Sequence, residues 1–284
     1  MPQLTDFLPT TRKEMELRGW DEVDVILFSA DAYVDHPSFG AAVIGRVIES
    51  HGYRVAIVPQ PDWHGDYRDF KKLGRPRLFF GIAPGCMDSM VNKYTANKRL
   101  RSEDAYSPDG RHDMRPEYPT IVYSQILRSL YPDVPIILGG IEASLRRLTH
   151  YDYWQDSLRK CILCDSGADM IIYGMGEKPV IELCQRLDKN IPIYNITDIP
   201  QTVYLAPETD IKGNIIDAMH YWGEKYPNAG YGSSFSMLSA ASSRSAKSRF
   251  LPKEIPLAET ISFFLLFPIK ISIDSAFSNS SAFA

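Results

Sequence analysis

Residues 23–52 read VDVILFSADAYVDHPSFGAAVIGRVIESHG. They open on a nearly continuous apolar run, 23–30, which suits a strand buried on both faces of a parallel sheet. A polar segment, DAYVDHPSFG, comes next. Ile44, Val47, Ile48 and His51 then recur at helical spacing, and Gly52 supplies a stop. The same strand–loop–helix sense repeats outward. Further strands are predicted at 53–58, 78–82, 134–138 and 169–173. Helices are predicted around 67–73, over 120–131 and around Val180, Ile181 and Leu187. Upstream, Thr11 and Glu14 have capping-box spacing for a short helix ending near Gly19. Such alternation predicts an α/β fold: a doubly wound, flavodoxin-like parallel sheet of about five strands with right-handed crossovers.

The remaining sequence sets bounds on this unit. Its 284 residues suffice for one large or two small domains, and 44% hydrophobic with 23% charged residues is ordinary for a globular chain. We divide it into a Rossmann-like domain at 8–190, an extension at 191–232 and a tail at 233–284. The tail holds 14 serines and only three acidic residues, and is expected to be poorly structured or an aberrant terminus. Residues 93–118 form a long polar connection, a kind that is usually functional or mobile. A net charge of −4 argues against a generally basic nucleic-acid or membrane-surface binder and leaves room only for a local patch. The apolar run 261–269 is broken by Ser262 and Pro268 and is too short to span a bilayer. With no signal peptide and four cysteines, the expectation is a cytoplasmic protein with reduced thiols.

Ligands on sheets of this kind sit beyond the carboxyl ends of the strands. Those ends carry the candidate residues. The first supplies Asp31, Tyr33, Asp35, His36, Ser38 and Gly40, which read either as a ligand crevice or as a hydrogen-bonded turn capping the next helix. The segment resembles the Asp-x-His-x-x-Gly loop of cobalamin-binding domains, but Asp35 and His36 are adjacent, so no histidine-ligated cobalt is predicted. Gly139, Gly140, Glu142 and Arg146 lie in GGIEASLRR, and Gly174, Gly176 and Glu177 in YGMGEK. Both segments are glycine-rich strand ends without the Lys-Ser/Thr ending of a P-loop. The aromatic cluster HYDYW, 150–154, reads as a stacking surface or as packing. Cys161 and Cys164 match CxxC but lie in an apolar stretch, where small buried cysteines are the plainer reading. No Cys-x-x-x-Cys-x-x-Cys, HExxH or GxSxG occurs, and no catalytic or metal-ligating residue is assigned.

Taken together, five segments resemble the N-terminal domain of YgiQ-type radical S-adenosylmethionine proteins. They are FLPTTRKEMELRGWDEVDVI, DAYVDHPSFGAAVIGRVIESHGYRVAIVPQPDW, LFFGIAPGCMDSMVNKYTANK, VPIILGGIEASLRRLTHYDYWQDSLR and ADMIIYGMGEK. The resemblance runs from about Leu8 to at least Leu187. It implies a cobalamin-binding-like Rossmann domain ahead of a radical barrel. In that family the barrel's three cysteines hold a 4Fe-4S cluster, and cleavage of S-adenosylmethionine yields a 5′-deoxyadenosyl radical. Here the three-cysteine motif is missing and the serine-rich tail stands in its place. The expectation is therefore an accessory domain, from a truncated or frameshifted product, inactive alone and separated from its barrel. The alternative is a non-catalytic α/β module that binds a small molecule. A thiol or zinc protein built on Cys161 and Cys164 is a third reading.

Overall fold

The computed structural model describes residues 3–205 and 269–272. Thr11 caps helix α1 (Arg12–Leu17), with Glu14 closing the reciprocal capping box as its spacing predicts. Strand β1 (Val25–Ser29) leads into α2 (Gly40–Ser50), β2 (Val55–Pro59) and the single turn α3 (Arg68–Lys71). Strand β3 (Phe79–Ala83) is followed by α4 (Ser89–Lys93) and, after a long connection, by α5 (Pro119–Leu130). Next come β4 (Ile136–Leu138), α6 (Gly140–Leu145), a two-stranded hairpin of β5 (His150–Asp152) and β6 (Ser157–Arg159), and α7 (Ile162–Ser166). Strand β7 (Met170–Ile172), α8 (Glu177–Asp188), β8 (Thr202–Leu205) and β9 (Ile269–Ser272) complete the described elements.

The main sheet runs β2-β1-β3-β4-β7-β8-β9. Its first five strands are parallel, in the flavodoxin-like order expected from the alternation. Two antiparallel strands extend it: β8 pairs with β7, and β9 with β8. Neither was anticipated, because TVYL and IKIS are too short to show a period. Strand β9 lies inside the serine-rich tail; the rest of that tail and residues 206–232 fall outside the described residues.

Alternation along each strand sends side chains to two cores. From β1, Ile26 and Phe28 face the α5 side, while Val25 and Leu27 face α2 and α8. On the first face Phe28 stacks on Phe70 at 5.2 Å, and Tyr123 meets Phe70 edge-on at 5.5 Å. Each such ring contributes roughly 1.5–3 kcal/mol by leaving water. The connection 93–118 has no apolar period. It is held instead by buried charge: Arg115 lies within 2.9 Å of both Asp31 and Asp104.

Candidate functional site

All the parallel strands point their carboxyl ends the same way, so the loops that follow them share one rim. A cleft of about 340 Å³ opens there, between the sheet and the α2/α8 layer. Leu27, Phe79, Ile137 and Ile172 form its apolar floor, and Ile44 and Val180 its helical wall. Seven of the candidate residues border it: Ser38, Gly40, Gly139, Gly140, Gly174, Gly176 and Glu177. Gly140 has φ +75, and a Cβ there would lie 2.9 Å from Pro84 Cδ, so the turn that shapes the rim tolerates no side chain. At Gly40 an added Cβ meets nothing within 4 Å; the helix start faces open space. The cleft thus offers an apolar slot with a polar, backbone-rich mouth, the usual make-up of a small-molecule site.

The other six candidates lie elsewhere. Asp31 is buried: its Oδ1 pairs with Arg115 at 2.9 Å, and the Cys86 N–H donates to its Oδ2 at 2.6 Å. Gly85, at φ +106, leaves the space this carboxylate occupies, since a Cβ would come within 2.1 Å of it. Tyr33 accepts from the Leu8 N–H at 3.1 Å, and burial raises its phenol. Asp35 is held below the usual carboxylate range by the Arg46 guanidinium, which donates through Nε at 3.1 Å. His36 Nδ1 accepts from the Ser38 N–H within its own loop.

Glu142 and Arg146 turn to the α4/α5 side. Arg146 is ion-paired with Asp88, whose other oxygen caps α4. Glu142 is 1% exposed, and neither carboxyl oxygen has a hydrogen bond of normal geometry. Burial pushes its carboxyl up to about 7; Arg146 and the nearby hydroxyls of Ser89 and Thr120 oppose that rise in part. Ser89, Thr120, Tyr123 and Ser124 also keep buried hydroxyls without partners. Sequence reading missed Asp88, Arg115, Asp104 and this hydroxyl group. Only Asp88 carried a local signal, as a helix-capping residue.

The four cysteines do not suit an iron–sulfur cluster. Cys161 lies in the core on the α5 side and Cys184 in the core on the α2/α8 side. Burial pushes each thiol up to about 12, and Cys86 to about 11. Among the described residues no group of three metal-ligating side chains gathers around Cys161 and Cys164. No described helix is long and apolar enough to cross a membrane.

A family described as Radical SAM N-terminal matches residues 7–255. A UPF0313 protein of Bacteroides thetaiotaomicron is 69% identical over 219 residues, covering 73% of this chain and 35% of that one. The UPF0313 protein YgiQ of Escherichia coli K12 is 48% identical over 235 residues, covering 78% of this chain and 32% of its own length. The chain thus spans about a third of the length of these curated relatives. Among solved structures, the radical S-adenosylmethionine methyltransferase TsrM from Kitasatospora setae, with cobalamin and a [4Fe-4S] cluster bound, aligns with a TM-score of 0.42 at 16% identity. That alignment covers 65% of this chain and 27% of TsrM.

Proposed function

The chain belongs to the Radical SAM N-terminal family, together with the UPF0313/YgiQ proteins, and from that premise we propose that it is an accessory domain of a radical S-adenosylmethionine enzyme. In this reading it presents its cleft beside the reacting centre, and a barrel outside this chain holds the 4Fe-4S cluster and S-adenosylmethionine. One observation carries the reading. A cluster needs several thiolates in one fixed local arrangement. Here burial keeps Cys161 and Cys184 protonated, in cores on opposite faces of the sheet. When bound, the cluster and S-adenosylmethionine supply the radical; this chain's residues shape and dry the adjoining cleft. Four free thiols are consistent with a cytoplasmic setting.

Anaerobic reconstitution with iron and sulfide tests this directly. The purified chain is expected to retain only background iron and to release no 5′-deoxyadenosine from S-adenosylmethionine. About four irons per chain, together with cleavage, would overturn the accessory reading.

The cleft itself favours a second reading, a non-catalytic small-molecule module. Nucleotides and corrinoids are the first probes for a thermal-shift screen, since a ligand of the native state raises the midpoint by mass action. Gly40→Phe is expected to fill the mouth without a backbone clash and to abolish any such rise. Flat responses to every compound would sink this reading.

A further inference from the structure

The hairpin β5–β6 plays no part in the cleft, yet its outer face is unusual. Strand alternation buries Asp152, which accepts from the Tyr118 hydroxyl at 2.7 Å and from the Trp154 and Gln155 N–H groups. Tyr151, in β5, and Tyr153, in the turn that follows, are 49% and 47% exposed, and the Tyr151 hydroxyl donates to Asp156.

The turn 94–101 is fastened against this face. Tyr153 donates its hydroxyl to the Ala96 carbonyl at 2.9 Å. Lys98 donates to the Trp154 carbonyl at 3.3 Å and sits 4.6 Å from the centre of the Tyr153 ring. The same turn exposes Arg99 and Arg101. Among the described residues, every arginine except Arg99, Arg101 and Arg147 has a carboxylate within ion-pair distance. Arg147 lies apart, over the Tyr173 ring. Lys98 has no carboxylate partner either. Among the described residues, then, three cations without a carboxylate partner, of which Arg101 donates to the Val91 carbonyl, sit on the turn fastened beside two exposed tyrosines.

We propose that this surface binds single-stranded nucleic acid: Lys98, Arg99 and Arg101 meet phosphates, while the exposed Tyr151 ring stacks on a base. The charge complementarity favours a polyanion, and the exposed ring beside it favours one whose bases are unpaired. The net acidity of the chain does not oppose this, because charges beyond a Debye length of about 8 Å are largely screened.

Anisotropy of a fluorescent oligouridylate, titrated with the full chain across a salt series, tests the proposal. Binding is expected at low salt and should weaken as salt rises. The triple variant Lys98→Gln/Arg99→Gln/Arg101→Gln should lose at least about tenfold in affinity and flatten the log–log salt slope by about 2. Tyr151→Ala should weaken binding by about tenfold with an unchanged salt slope. Lys13→Gln/Lys71→Gln, on exposed helical positions elsewhere, is the charge control and should bind as the parent does. No binding at low salt, or equal losses in the control and the triple variant, would overturn the proposal. So would poly-glutamate competing as well as the strand while Tyr151→Ala has no effect, which would mark an acidic protein surface instead.

Discussion

Glu142 is a carboxyl group whose surroundings make it more comfortable neutral than charged. Its folded value, about 7, lies above its ordinary 4.5, so the native state binds this proton more tightly than the unfolded chain does. Stability from this group is complete below about pH 4.5, falls as pH rises and has gone once pH passes about 7. Glu142→Gln keeps the shape and removes the charge. It is expected to stabilise the fold at pH 8 by up to about 3 kcal/mol and to change little at pH 4. Urea melts at the two pH values check this, and an equal effect at both would refute it. Arg115 has the opposite character, because its charge is matched by Asp31 and Asp104. Arg115→Met strands two buried carboxylates and should cost about 3–5 kcal/mol. A chemical-denaturation midpoint close to that of the parent would show that the two acids find other partners.

Each element owes its start or stop to local chemistry, but its place to packing. Helix α1 is only six residues long, and its capping box satisfies N–H groups that its length cannot. Thr11→Ala should therefore destabilise by about 1 kcal/mol, measured by urea titration. A loss within error would mean that Met15, fully buried beneath the helix, holds it without the cap. The hairpin β5–β6 shows where local reading fails. HYDYW had no clear period, and the turn that pins it comes from residues some fifty positions earlier. Strands β8 and β9 escaped for a related reason: a four-residue strand at an antiparallel edge is selected by the neighbour it pairs with.

Across the whole molecule, burial is greatest in the centre of the parallel sheet. Strands β1 and β3 each have a parallel neighbour on both sides and helices on both faces. Native-state hydrogen exchange should therefore be slowest in β1 and β3 and faster in β8. Equal protection throughout would argue for a single cooperative unit including the edge. The proposed accessory role belongs to this scale too. The chain spans about a third of its relatives' length, and its rim is where a second body could share a ligand with it.

Local sequence sufficed for the alternation of strands and helices, and with it the common rim on which every strand-end loop lies. Those features follow from periodicity and from the fixed hand of crossovers, which act over a few residues or one unit. Tertiary structure alone decided which rim residues share a space. It placed Gly40, Gly139 and Gly176 around one cleft, tied Asp31 to Arg115 from far along the chain and sent Glu142 to the other face of the sheet. The reason is physical: a side chain's face depends on the twist and packing of its element, and its ion partner on loops whose closure no local pattern records.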